Sequence, residues 1–391
     1  MKITKVTPWV VSFPWEMRVG AEQKPLVHDR QLVFVQVDTD EGITGWGEVT
    51  TYPGPVANRA VASMIREVSD FLAGENANEF ERLWQNIFRS FTYVGTRGAV
   101  TAVISGIDIA LWDIRGKELG LPIYELLGGP VRDRIALYTH PPEPANVPDA
   151  IADAKQIVDA GYEAFKFDPM MRFIPGGNAG FLDGQLSREG LATADEIVGA
   201  VREAIGPDIE ILIDAHGMYN VPTAIELANR LAKHDIHWFE EPVPVESYRA
   251  LQQVRREIPV KISVGERLHT RWEFVPILEN NLADFIMPDV TWTGGITELK
   301  KISTMAEAYY IPVSPHDASG PVNVLAGAHV MMTTPNFYKL ETMRYDLGAY
   351  GAFIEPGLDI RDGDLFLPDA PGLGVEMDLD FLRSHVVFGG E

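Results

Sequence analysis

Polar and apolar residues alternate in two rhythms along this chain, and the change of rhythm divides it. Residues 1–12 alternate with period two. So does 31–50, QLVFVQVDTDEGITGWGEVT, which reads as two strands about a turn at Asp40-Glu41-Gly42. Between them, residues 13–30 show no period and are expected to be irregular. Apolar positions then recur at helical spacing near 55–74, 78–90 and 97–119, the last stretch stopping at Gly120 with Pro122 behind it. Strands followed by helices, without alternation, predict a self-contained α+β unit.

From about residue 134 short apolar runs alternate with helical ones. The strand-like runs are 135–140, 164–168, 210–215, 237–242, 261–266, 284–289, 311–316 and 337–341. Helical stretches fill the gaps, among them 147–160, 192–204, 222–233, 295–309 and 322–333. Eight β units at a spacing of roughly 25 residues predict an α/β fold, a (β/α) barrel. No convincing eighth helix follows the last strand. The tail from about 358, rich in Asp, Gly and Pro, is expected to pack back on the first unit. The organisation expected is an α+β domain over 1–125, a barrel over 126–357 and a returning segment over 358–391. One interval is too long. From Phe165 to Leu212 is 47 residues, and the excess, 170–189, follows the second strand on the face where barrel active sites lie. It is either a surface insertion or a substrate-covering loop with glycine hinges.

Ionisable residues close the strands from the second onward. They are Lys166 and Asp168, then Asp214 and His216, Glu240, Glu266, Asp289, His316 and Glu341. Any one of these alone reads as a solvated or ion-paired loop residue, but chance does not place the whole series at one end of successive strands. Asp214 to Glu240 is 26 residues and Glu240 to Glu266 is 26 again. Parallel strands at that repeat present three carboxylates together, a site for a hard divalent cation. Mg²⁺ suits it, and Mn²⁺ also fits. Zinc is disfavoured, with His216 beside Asp214 the feature in its favour. Equal spacing selects Glu240 over Glu241, since alternation turns the second glutamate away.

Composition narrows the partners. The net charge of −23, from 56 acidic and 33 basic residues, argues against nucleic acid or an anionic membrane. An anionic small substrate stays open, because a bound cation reverses the local sign. With no cysteine there is no disulfide, thiolate catalysis or zinc–sulfur site. The start, MKITKVTPWVVSF, reads as a first strand rather than a signal peptide, and no run reaches the ~18 apolar residues of a membrane helix, so a cytoplasmic protein is expected.

A cation flanked by Lys166, His216 and His316 suggests a reaction through a carbanion. A carboxylate substrate on the cation would lose the proton on its adjacent carbon, because positive charge stabilises the enediolate. Histidine has the pKa for the base, and an aspartate behind it sets its tautomer. Asp289 and His316, from adjacent strands, make such a dyad plausible.

At these residues the sequence resembles the enolase superfamily, in particular its mandelate racemase subgroup. The likeness covers almost the whole chain, including SGIDIALWDIRGKELGLPIYELLGG (105–129), PDAPGLGVEMD (368–378), the ligand spacing, the Asp289–His316 pair and Glu341. It implies a modified TIM barrel, (β/α)7β, under an N-terminal capping domain completed by the C-terminal tail. It also implies Mg²⁺ on Asp214, Glu240 and Glu266, and a homo-oligomer. Racemase-like members carry Lys-x-Lys at strand two, whereas this chain has Lys166-Phe167-Asp168, which puts two-base racemisation in doubt. Together with His216 two residues after the first ligand, the pattern looks like the sugar-acid dehydratases of the galactonate type, with gluconate and arabinonate dehydratases similar in outline. The roles that follow are His316 as base oriented by Asp289, His216 as acid and Glu341 on the enediolate. Lys166 would bind the carboxylate of an acid sugar. Asp168 would accept a substrate hydroxyl or partner Lys166, and Trp15, Arg18, Tyr52, Arg172 and Trp292 are candidates for the distal pocket. The competing expectations are a sugar-acid epimerase, racemase or cycloisomerase, and a barrel that has lost activity and serves as a scaffold.

Overall fold

The computed structural model describes residues 1–22, 24–51, 55–170, 183–343 and 350–390, and gives the backbone alone for 15–19, 25–28 and 55. The chain opens with a long antiparallel hairpin, β1 (Ile3–Val19) and β2 (Lys24–Thr39), followed by β3 (Thr44–Glu48). The hairpin stays in register from Val6↔Val37 to Val19↔Lys24. Residues 13–30, expected to be irregular, are therefore mostly strand. Backbone pairing, which no side-chain pattern records, carries the ladder past the alternating part.

Three helices cover one face of this sheet: α1 (Pro55–Leu72), α2 (Phe80–Ser90) and α3 (Ala99–Leu119). They bury Val33, Val35 and Val37 against Ile65, Ile87, Val103 and Ile107. A short α4 (Ile123–Leu126) leads to the barrel.

The barrel strands are β4 (Ile135–Thr139), β5 (Ala164–Phe167), β6 (Glu210–Asp214), β7 (Trp238–Glu240), β8 (Ile262–Val264), β9 (Phe285–Ile286) and β10 (Leu340–Thr342). They run parallel in chain order, and β10 pairs with β4. Between β9 and β10 the expected strand at 311–316 is reduced to one bridging residue, Val313, paired with Ile286 and Phe337. Outside lie α5 (Val147–Asp159), α6 (Arg188–Ile205), α7 (Val221–Leu231), α8 (Tyr248–Glu257), α9 (Thr270–Glu279), α10 (Gly295–Ala308) and α11 (Pro321–Met332). The α/β architecture read from the spacing is the one found.

After residue 350 come β11 (Ile354–Glu355), β12 (Asp359–Arg361), β13 (Asp364–Phe366), β14 (Glu376–Met377), α12 (Leu379–His385) and β15 (Val386–Gly389). β13 joins the barrel sheet at β4, and β15 joins the N-terminal sheet at β1. Among the described residues no helix is long and apolar enough to cross a membrane.

Candidate active site

Side chains of a strand alternate between barrel wall and barrel interior. Tyr138, Ala164, Leu212, Trp238, Phe285 and Met287 point inward and form one buried cluster that plugs the barrel. The residues two further along are His140, Lys166, Asp214, Glu240 and Asp289. Period two alone thus raises a ring of ionisable groups above an apolar floor. All five are at least nine-tenths buried.

Glu266 breaks the parity. Ser263 pairs with Glu240 and Phe285 on the inner row, so regular alternation would send Gly265 inward instead. Gly265 has φ +139°, and a Cβ there would stand 2.9 Å from the Met287 amide nitrogen. That backbone, open to glycine alone, re-aims the chain so that Glu266 enters the site. One ligand oxygen each from Asp214, Glu240 and Glu266 lie within 4.8 Å of one another.

Lys166 sits among the carboxylates. Its Nζ is 2.7 Å from Glu240 Oε1, 2.8 Å from Glu341 Oε1 and 3.3 Å from Asp214 Oδ2. Tyr138 donates its hydroxyl to Glu341 Oε2 at 3.0 Å, and Trp238 donates Nε1 to Glu240 Oε2 at 3.1 Å. Glu241, turned away as alternation required, is buried against the Arg267 guanidinium, which also lies 2.9 Å from Glu266 Oε1.

Two histidines face this cluster. His316 Nδ1 is 2.7 Å from Asp289 Oδ2, and its Nε2 is 3.3 Å from Glu266 Oε2. Asp289 is itself held by the amide and hydroxyl of Thr291, at 2.7 and 2.6 Å. His216, with φ +50°, places Nδ1 3.1 Å from Asp168 Oδ2 and Nε2 3.4 Å from Asp214 Oδ2. Asp168 is thus the partner of His216 rather than of Lys166. Its second oxygen accepts the Met170 amide at 2.7 Å.

The charges explain the titration of the site. Burial alone would lower Lys166, but Glu240 and Glu341 outweigh it and hold the ammonium well above its usual range. Burial and the neighbouring Asp214 push Glu240 well up. Asp214 resists burial because His216 and Lys166 hold it down. Burial would also lower both histidines. Asp214 and Asp168 instead hold His216 up to about 10, while Glu341 and Glu266 hold His316 up to about 9. At His140, burial and Lys166 outweigh Glu143 and Asp214 and lower it to about 4.

Lys166, Arg267 and the two raised histidines are four cations against seven buried carboxyl groups: Asp168, Asp214, Glu240, Glu241, Glu266, Asp289 and Glu341. Three all-oxygen donors converging from adjacent strands fit a hard divalent cation, which would supply the missing positive charge.

Trp292 borders the site. Its ring lies 5.3 Å from that of His316, and its Nε1 donates to the Glu266 carbonyl. Arg172 and Tyr52 lie outside the described residues, as do 171–182 of the long insertion and the side chains of Trp15 and Arg18. Three neighbours escaped the sequence reading: His140, Tyr138 and Arg267. The series of ionisable strand ends begins one strand earlier than the second. Extended to the first, LYTH, it finds His140 directly.

Family comparisons agree along the chain. The model of the mandelate racemase / muconate lactonizing enzyme N-terminal domain matches residues 2–128, and that of the enolase C-terminal domain-like family matches 149–381. The D-xylonate dehydratase of Haloferax volcanii is 34% identical over 363 residues, 91% of this chain and 86% of its own. The D-galactonate dehydratase of Pectobacterium atrosepticum is 33% identical, covering 97% of this chain and 92% of its own. A crystal structure of a member of the enolase superfamily from Salmonella Typhimurium superposes with a TM-score of 0.85 at 30% identity, over 96% of this chain and 98% of that one.

Proposed function

The chain belongs to the mandelate racemase / muconate lactonizing enzyme family of the enolase superfamily, and from that premise we propose that it is a hydro-lyase that dehydrates an aldonic acid. The product is the 2-keto-3-deoxy acid, and Asp214, Glu240 and Glu266 hold the Mg²⁺, or Mn²⁺, that the reaction uses. One observation carries the reading. His216 and His316 each turn Nδ1 onto a carboxylate and Nε2 toward the same three-carboxylate cluster. They come from the third and seventh β units, which stand across the barrel from each other.

When bound, the cation supplies positive charge beside the substrate carboxylate, which acidifies the adjacent C–H and offsets the carboxylate field that holds His316 up. Asp289 keeps the His316 Nδ1 proton in place, so Nε2 is the atom that takes the proton from C2. The C–H electron pair moves into the enediolate, whose charge the Lys166 ammonium would stabilise, with Glu341 hydrogen bonding to it when it carries a proton. The pair then expels the C3 hydroxyl, and His216 Nε2 gives it a proton so that it leaves as water. Attack and departure on opposite sides make this an anti elimination. The remaining enol takes a proton at C3, gives up its C2 hydroxyl proton and becomes the ketone.

The two relatives are named for a five-carbon and a six-carbon acid, D-xylonate and D-galactonate. These share the threo arrangement of the C2 and C3 hydroxyls, so we assign a threo aldonate and leave the chain beyond C3 to the distal pocket. Racemisation needs a second base where this chain carries Asp168, and Asp168 is engaged with His216. The test uses two variants in deuterated solvent. His216→Asn should still exchange the C2 hydrogen while losing dehydration, and His316→Asn should lose both. Full turnover by His316→Asn, or C2-epimerised product without loss of water, would overturn the reading.

A further inference from the structure

The geometry points to a second metal site in this protein, built by His140, Asp214 and His216, that takes a borderline divalent ion such as Zn²⁺ and silences His216 when filled. One donor atom from each of the three lies within 4.8 Å of the other two. Tetrahedral ligation with zinc–nitrogen bonds of about 2.0–2.1 Å needs donors roughly 3.4 Å apart. His216 Nε2 and Asp214 Oδ2 already stand 3.4 Å apart.

Two further observations point to a ligand there. His140 is 7% exposed, and its Nδ1 is fully enclosed with no hydrogen-bond partner among the described residues. Leaving a buried imidazole nitrogen without a partner is unfavourable, and an ion bound by the cluster would offset that cost. His216 gives Nδ1 to the Asp168 carboxylate and leaves Nε2 toward Asp214. That is the carboxylate–histidine arrangement that orients a metal-ligating imidazole.

The two clusters sort ions by chemistry. Asp214, Glu240 and Glu266 offer oxygen alone and suit Mg²⁺. Two imidazoles and one carboxylate suit Zn²⁺ or Co²⁺, and Mg²⁺ has little affinity for them. Asp214 belongs to both sets, so with both filled its carboxylate bridges two ions, as in known two-metal centres about 3.5–4 Å apart. An ion on the His216 Nε2 lone pair leaves that nitrogen no proton to give. The site stands on the cluster itself, while the silencing of His216 rests on the dehydratase reading.

The whole protein in saturating Mg²⁺ would be titrated with Co²⁺ and followed by visible absorption, with Zn²⁺ calorimetry in parallel. One equivalent of Co²⁺ should bind in the presence of Mg²⁺ with the d–d bands of a four- or five-coordinate ion. His140→Asn and, as a second variant, His140→Gln should weaken that equivalent at least tenfold while binding Mg²⁺ as wild type does. Zn²⁺ should stop turnover of a threo aldonate by wild type at a concentration at least tenfold lower than in either variant. Absence of any Mg²⁺-resistant equivalent in wild type would overturn the site. So would the same Co²⁺ affinity in wild type and both variants, as for ions bound adventitiously at other histidines. The Co²⁺ titration gives its answer even if no aldonate is turned over.

Discussion

Two groups of buried carboxylates, one along the seam between the N-terminal unit and the barrel and one at the strand ends, meet opposite surroundings. In the seam, Asp108 of α3 accepts the Thr297 amide at 2.9 Å and the Thr297 hydroxyl at 2.5 Å. Thr297 is the third residue of α10, whose own N-cap, Gly294, supplies no side-chain cap. Glu48 of β3 does the same for α11, accepting the Asn323 amide at 3.0 Å and the Thr50 hydroxyl at 2.7 Å. Asp113 accepts the Trp46 and Leu373 amides, at 3.0 and 2.9 Å, beside Lys117. Acids of the N-terminal unit thus cap barrel helices that lack caps of their own, where the helix dipole also favours negative charge. Gly295 permits the approach, since a Cβ there would lie 2.4 Å from Asp108 Oδ2.

The strand-end carboxylates have few such donors. Asp214, Glu240, Glu266 and Glu341 face one another, with Lys166 reaching three of them and Arg267 the fourth. The difference teaches that burial does not by itself mark a functional acid. Amides and hydroxyls fixed by the fold, with Lys117 at Asp113, complete the seam acids, whereas the strand-end acids outnumber the cationic side chains around them.

The sharpest way to break this comparison is Glu240→Gln, at the ligand that burial and Asp214 push up. Turnover of a threo aldonate at saturating Mg²⁺ should fall by at least about 10³-fold, while chelated protein melts no lower than wild type, because one repelling charge has gone. A drop in the melting temperature of the chelated variant would place Glu240 with the seam acids instead. Adding Mg²⁺ at a hundred times its Kd should stabilise wild type by about 2.7 kcal/mol and leave Glu240→Gln unmoved, as read by denaturant titration. In the seam, Asp108→Ala orphans the amide and hydroxyl of Thr297. It should cost about 1–3 kcal/mol of stability with turnover per folded molecule unchanged. Loss of turnover matching that of Glu240→Gln would erase the distinction.

The smallest effect is on pH dependence. Burial raises Asp108 and Glu48 to about 7, against the hydrogen bonds that lower them. Between the ordinary carboxyl range and about pH 7 the folded state therefore binds more protons than the unfolded one. Stability falls as pH rises through that window, by at most about 1.4 kcal/mol per pH unit for each proton. Asp108→Asn should flatten the slope of unfolding free energy between pH 5 and 7, and an unchanged slope would show that Asp108 is already ionised there.

Much of this was legible beforehand, for local reasons. Strand period, loop length and the 26-residue repeat are properties of neighbouring residues, and they suffice for the order of the barrel units and for the series Lys166 to Glu341. The seam acids were not legible. Asp108 and Thr297 are 189 positions apart, and nothing near either residue in the chain announces the other.

What the sequence determined by itself is the set of chemical groups and the end of the barrel at which they gather, because alternation and spacing act over a few residues. Beyond the Asp289–His316 dyad and the three grouped carboxylates, tertiary structure decided their pairings. It set Asp168 against His216 across 48 positions, let Gly265 turn Glu266 inward, and closed Arg267 on Glu241. It also reduced the seventh strand to a single bridge at Val313 and extended the first hairpin through 13–30. Each of these depends on which backbones lie side by side and which atoms lose water together, and both are settled only when the whole chain has packed.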